Sequence, residues 1–204
     1  DLEIVAGHTR FGFMKVSAGK TIVKAGDSSS QLYFLINGAL KIQSYADDYG
    51  YSVEEHISAP YIFQMESIFG YHQRYTHDYI AATDVNFLTI DKEEIVRLLE
   101  EFLVFRLNMM NSFATQTQKQ LRQTWSRVPQ SLSERIVRFF VSHCVYPAGH
   151  KVFHILMVRL AEEVNDSRLN VSNVLNRMQR SGLITLSRGK IEIPQLERLL
   201  SASV

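Results

Sequence analysis

One cysteine stands among 204 residues. Cys144 has no partner for an internal disulfide framework, and the chain cannot build a Cys-ligated iron–sulfur cluster or a multi-Cys zinc site. It lies in the apolar stretch RFFVSHCVY and reads as a buried, inert thiol. No apolar run approaches the ~20 residues that span a bilayer. No secretory signal pattern opens the chain. An initiator Met is missing too, so the start at Asp1 reads as the interior of a longer chain or as a trimmed one. These absences suit a cytoplasmic protein with no membrane association. GxSxG, GxGxxG, GxxxxGKS and HExxH are all absent. The acidic pairs Asp47-Asp48, Glu54-Glu55 and Glu93-Glu94 are sequence neighbours whose side chains diverge, which is wrong for paired catalytic carboxylates. Seven histidines, among them His56, His72 and His77, show no ligand spacing, so solvated or hydrogen-bonded histidine is a better reading than a metal or haem site. The expectation is a protein that is not an enzyme and carries no metal and no cofactor.

What is present is the composition of an ordinary globular protein, 46% hydrophobic and 21% charged, long enough for one large domain or two small ones. A net charge of +1 hides an asymmetry. Residues 1–125 carry 11 Lys/Arg and 15 Asp/Glu, and residues 126–204 carry 11 and 6. A mildly acidic front and a basic back suggest two modules, the second near a polyanion.

The first ninety or so residues read as β. TIVKAGD ends in a Gly-Asp turn. QLYFLINGALKIQ reads as two strands joined at Asn37-Gly38, the preferred pair for a type I′ hairpin because both residues tolerate positive φ. YSVEEHI, DYIAAT and VNFLTID add further short strands, and together these predict a roll, barrel or sandwich. From Asp91 the pattern changes to a long stretch without Gly or Pro. Asp91 is placed to cap it, Glu93 and Glu94 suit its first turn, and a turn near Phe102 interrupts it. Leu107, Met110, Ala114, Thr117, Leu121 and Thr124 then follow coiled-coil spacing, a mixed apolar and small-polar seam. That seam fits either pairing of two subunits or packing on the helix's own domain.

Pro129 ends the helix. Ser131 and Glu134 are spaced as a capping box for the next one, which runs to about Val141. YPAGHK reads as a loop and MVRLAEEVN as a helix. SRLNVSNVLNRMQ follows, with Val171, Val174, Leu175 and Met178 on one stripe. GLITLSRGKIEI reads as a hairpin turning at Arg188-Gly189, and Pro194 suits the start of a last helix. Taken as one unit, LAEEVNDSRLNVSNVL places small Ala161 where two helices cross. Asn165 falls at a sharp turn needing left-handed φ, and Val171 and Val174 are the anchors. That order describes a helix-turn-helix, and the basic hairpin after it makes it winged. A second helix of this kind enters the major groove N-terminus first. Arg168 in its first turn can hold guanine O6 and N7, Leu169 fits a thymine methyl, and Ser172, Asn173 and Asn176 lie on the same face. Ser187, Arg188 and Lys190 on the wing would hold phosphates.

In this order, a β-roll, a long helix and a winged helix ending in SGLITLSRGKIEI resemble the Crp/Fnr family of bacterial transcription regulators. GDSSSQLYFLINGALKI is similar to that family's first β-roll hairpin, and SR opens the recognition helix as it does there. The resemblance implies an α+β fold. Residues 1–98 would form a cyclic-nucleotide-binding-like sensor roll (an antiparallel β-roll or jelly roll), 99–128 a dimerisation helix and 129–204 a winged helix-turn-helix. It also implies a homodimer on a double-stranded, two-fold DNA operator, RNA polymerase as a further partner, and a small-molecule effector whose identity is unknown. Ligand would shift a population of states and set the recognition helices about 34 Å apart.

Two departures are visible. The family commonly carries Arg, Glu and Arg on the reading face, where this chain has Arg168, Leu169 and Asn173. Cyclic-nucleotide-binding members have Gly-Glu and, some ten residues on, Arg-Ser; here those places hold Phe63, Gln64, Thr76 and His77, with Arg74 nearby as an alternative cation. A buried phosphodiester would lack its counter-charge, which speaks against cyclic AMP. The effector pocket is then expected around Phe63, Gln64, Met65, Thr76 and His77, faced by Gln116, Gln120 and Leu121. The function read from the chain is a DNA-binding transcription regulator gated by an effector other than cyclic AMP, or by none. The alternative is a ligand-binding or protein-interaction module whose winged helix does not bind DNA.

Overall fold

A computed structural model describes residues 9–63, 65–125 and 127–202. Its backbone groups into two compact units, one drawn from residues 1–40 and 57–126, the other from 41–56 and 127–204. No helix among the described residues is long and apolar enough to cross a membrane.

In the first unit, β1 (Gly12–Val16), β3 (Gln31–Asn37), β6 (Tyr61–Ile62) and β8 (Val85–Asp91) form an antiparallel sheet in the order β1-β8-β3-β6. β2 (Thr21–Val23) pairs with β7 (Asp78–Ala81). Period-two burial drives β8 inward through Val85 and Phe87. Two helices follow, α1 (Lys92–Glu101) and α2 (Leu103–Thr124). The interruption falls at Phe102, whose backbone is extended while its N–H still donates to Leu98 O. Asp91 is the N-cap residue, but its side chain makes no capping bond. Glu94, one turn on, accepts from Arg10 N instead and pairs with Arg97. Leu32, Ile68, Ile90, Ile95, Leu98 and Met109 close a core beneath these helices. The opposite side of α2 leaves Leu107, Met110 and Leu121 exposed.

The expected hairpin at Asn37-Gly38 is not formed. β3 pairs with β8 and β6, whereas β4 (Ala39–Tyr45) belongs to a different sheet. Only Gly38 has positive φ (87°), and a Cβ there would lie 2.5 Å from Asp84 O. Close backbone approach, rather than a two-residue I′ turn, demands this glycine. Asn37 stays in the strand and its Oδ1 accepts from Asn86 Nδ2 at 2.9 Å.

The second unit holds most of β4 and of β5 (Tyr51–Ser58) together with everything after residue 126. α3 (Leu132–Ser142) begins with Ser131 Oγ accepting from Glu134 N, and Glu134 reaches back to Gln130 N, a variant of the capping box. β9 (Lys151–Ile155) follows, a strand absent from the sequence reading, which ran from loop to helix. Then come α4 (Met157–Glu163), α5 (Arg168–Arg180), β10 (Thr185–Ser187), β11 (Lys190–Ile193) and α6 (Leu196–Ala202). The strand order is β10-β11-β9-β5-β4. Phe140, Phe153, Leu160, Val171, Leu175, Ile193 and Leu196 fill the core between helices and sheet. This is the winged helix-turn-helix expected from the sequence, with two upstream strands added to its sheet.

Asn165 sits at the turn with φ of 50°. Replacing it by Val should cost roughly 1–2 kcal/mol, because a β-branched residue is strained there, while Asn165→Gly should be neutral within a few tenths. Urea denaturation midpoints of the two variants check this.

Candidate functional site

Helix α5 is fixed from behind by polar contacts. Ser167 caps α5 by accepting from Asn170 N at 3.2 Å. Asp166 Oδ1 accepts from Ser167 N at 2.8 Å and from Asn170 Nδ2 at 2.9 Å. Arg135, on α3, pairs with the other Asp166 oxygen and donates from Nε to Val164 O at 2.9 Å. The Asn170 side chain, the Ser167 amide and the Arg135 charge together hold the Asp166 carboxyl below the usual carboxylate range. Arg135 and Asp166 were missed in the sequence, where their only signal was an acid next to a helix cap and a base on a neighbouring helix.

On the front of α5, Arg168, Asn173 and Asn176 are exposed and Leu169 is 70% exposed, so folding does not account for this leucine. Asn176 Nδ2 lies 3.3 Å from Ser172 Oγ. Val171, Val174, Leu175 and Met178 are buried on the other side. The helix contains no acidic residue. Arg168 and the wing residues Ser187, Arg188 and Lys190 line one cleft of about 380 Å³, which exposed Leu156 and Val158 also line. Lys190 Nζ is also 3.0 Å from Glu192 Oε2, so part of its charge is already answered within the wing.

The residues expected around an effector are less concentrated. A groove of about 760 Å³ runs along α2 in the first unit, and of that set Met65 and Gln116 line it, with Tyr61, Asn111 and Lys119 beside them. Gln64 lies outside the described residues. Thr76 is exposed and His77 half-buried, and neither lines the groove. Gln120 and Leu121 are exposed further along α2. Phe63 is 1% exposed and sits among rings: it stacks on Tyr79 at 4.3 Å and on Tyr33 at 4.8 Å, and meets Phe87 edge-on. Tyr75 adds a further edge contact to Tyr33. Burial raises the phenols of Tyr33 and Tyr75 above their ordinary value. The nearby cation, Arg74, is exposed and donates to Gly26 O at 2.7 Å. Among the described residues no group of His, Cys, Asp or Glu is arranged to hold a metal ion. Burial, with a further push from Glu55, raises the Cys144 thiol to about 12. Its Sγ donates to Phe140 O.

Two family models match the chain, a cyclic nucleotide-binding domain over residues 13–102 and a Crp-like helix-turn-helix domain over residues 134–202. The chain belongs to the Crp/Fnr family. A curated relative, the global nitrogen regulator of Synechocystis, is 22% identical over 188 residues, covering 85% of this chain and 80% of that protein. The Thermus thermophilus catabolite activator protein is similar in structure, with a TM-score of 0.51 at 17% identity over 99% of this chain and 93% of that one. A CooA mutant from Carboxydothermus hydrogenoformans gives 0.51 at 16%, over 100% and 95%. At such identities the structures speak for the fold. The chain is a Crp/Fnr-type transcription regulator, and its helix-turn-helix is a DNA-binding module of the Crp type.

The front unit is filled by aromatic rings. Tyr33, Phe63, Tyr75, Tyr79 and Phe87 are all buried, and the rings occupy the interior of the roll. Phe63→Ala should cost about 3–5 kcal/mol, since it removes the ring at the centre of the stack; denaturant unfolding of the front unit measures this. The turn before α5 should be acid-sensitive. Because the Asp166 carboxyl is depressed in the folded chain, its contribution is present above the unfolded carboxylate value and is lost as pH falls through the lower folded one. Hydrogen exchange at the Ser167 amide should accelerate across that window in the parent and show no such step in Asp166→Asn.

Proposed function

We propose that this Crp/Fnr regulator works as a cytoplasmic homodimer that reads a two-fold DNA operator with Arg168, Leu169, Ser172, Asn173 and Asn176. On this reading Ser187, Arg188 and Lys190 hold the backbone. The observation that carries it is the acid-free front of α5, whose first residue, Arg168, lines one cleft with the wing residues Ser187, Arg188 and Lys190. Arg168 takes a guanine, and Leu169 and Asn173 replace charged readers, so the operator departs from the family's common one. Residues 99–128 join the subunits through the exposed seam of α2, and residues 129–204 carry the DNA contacts. RNA polymerase is the further partner that the family implies.

The sensor, residues 1–98, does not use a cyclic nucleotide. In support, rings fill the roll, Thr76 and His77 stand where the family has Arg-Ser, and Arg74 is engaged with Gly26 on the outside. An anionic phosphodiester would enter without a buried cation. An effector of other chemistry, where one acts, would seat in the groove along α2 at Met65 and Gln116.

Selection from a random duplex pool yields the operator. Arg168→Ala should then weaken it by 10- to 100-fold, about 1–3 kcal/mol, and relax preference at one base pair per half-site. Arg188→Ala should weaken all sequences alike and lower the salt slope by about 0.9. Binding that is insensitive to salt would favour a protein partner for the winged helix instead. Titration with cyclic AMP should give no saturable heat at micromolar concentrations.

A further inference from the structure

Glu55 and Lys151 form an ion pair of 2.8 Å with both side chains fully buried. They are separated by 96 residues in sequence and stand directly opposite each other in the β5–β9 ladder. Strand periodicity explains how a carboxylate comes to be there. Val53 and Glu55 share a face, and Val53 enters the core of the second unit. Glu55 has two further donors, Val145 N at 2.6 Å and Tyr146 N at 3.1 Å, both on the segment after α3. Lys151 Nζ also stands 5.9 Å from the centre of the Tyr146 ring.

The hairpin of β4 and β5, neighbours in this sheet, is fastened a second time near its tip. Asp48 pairs with Arg159 of α4 at 2.9 Å, the Arg159 guanidinium lies over Tyr51, and the Tyr51 hydroxyl is 2.8 Å from His143 Nε2. β9 is the strand through which these contacts reach the reading surface. One of its edges pairs with β11 of the wing and the other with β5. Its last residue, Ile155, donates to Gly189 O at the wing tip at 3.0 Å, and the next residue, Leu156, is the N-cap of α4.

We propose that residues 41–56 are an integral part of the DNA-binding unit, and that Glu55 and Lys151 are positioning residues for the reading helix and wing although neither lies on the reading face. The hairpin completes the sheet on which α4 and α5 rest, and Glu55 is the counter-ion without which Lys151 has no place in it. The DNA arm of this proposal rests on α5 being the reading helix; its structural arm does not.

The test uses the full chain and three variants: Glu55→Gln, Lys151→Met, and both together. Gln keeps one acceptor oxygen for the Val145 or the Tyr146 amide, and with Met opposite it no lone charge is buried. Hydrogen exchange of the free protein is followed at β9 and the start of α4, and binding is measured to the selected operator and to random duplex. Each single variant should lose at least tenfold protection at β9 and at least tenfold operator affinity, with the salt slope on random duplex unchanged because the interface cations are intact. The double variant should regain most of both. Singles within twofold of the parent in exchange and in operator binding would overturn the proposal, as would a double variant no better than the singles. If the parent selects no operator, the DNA reading fails while the exchange measurements still decide whether the hairpin belongs to the unit.

Discussion

Lys151 opens β9 with its ammonium shut off from water, and the architecture around it follows from that requirement. A buried charge stripped of its partner costs about 3–5 kcal/mol, so the position is occupied only because a carboxylate is carried to it. The nearby sequence supplies none on β9 itself. Glu55 arrives on another strand, and because ladder pairing fixes register to the residue, the strand must come with it. At this contact meet the pairing of β5 with β9, the satisfaction of two amides after α3 and the extension of the winged sheet by β4 and β5. Burial alone would not select this arrangement, since an apolar residue at Lys151 would pack with less constraint. The ion pair fits this register, in which Glu55 stands opposite Lys151.

The helix-turn-helix divides labour between a rigid back and an open front. Asn165 accepts the left-handed turn, Ser167 caps the helix, and Asp166 gathers donors from both sides of the corner while Arg135 ties it to α3. The front of the same helix carries few side-chain bonds of its own, and the Ser172–Asn176 contact is long. Preorganised placement with uncommitted donors and acceptors is what base recognition asks of a helix, because entropy is then lost in folding rather than on binding. Leu169 belongs to this logic, since an apolar residue left exposed in an otherwise polar row gains only when another surface covers it.

Much of this was legible in the chain. The 3.6-residue stripe of α5, the Asn165 turn, the Ser131 cap, the break at Phe102 and the wing turn are local features, each written in a few adjacent residues. What was not legible is non-local. KVFHI reads into LMVRL as one apolar run, and only pairing on both edges shows that its first five residues are a strand. Asn37-Gly38 has the composition of a hairpin, yet Gly38 answers to Asp84, 46 positions downstream, rather than to its own neighbours. Phe63 could be seen to replace a glycine; that Tyr33, Tyr79 and Phe87 converge on it could not, because they come from separate segments. The expected effector residues scatter for the same reason, with Met65 and Gln116 on the groove and Thr76 on the outer surface.

The chain enters the DNA-binding unit twice, first as residues 41–56 and again from 127 onward. Modular proteins are often rearranged by single genetic crossovers that exchange one contiguous half for another. Here any crossover between the codons for residues 57 and 126 would inherit Glu55 from one parent and Lys151 from the other. A hybrid gene would keep the ion pair only where one parent supplies the carboxylate and the other the ammonium. The buried pair therefore sets a compatibility rule for recombination, and the reading head can be exchanged intact only by two cuts.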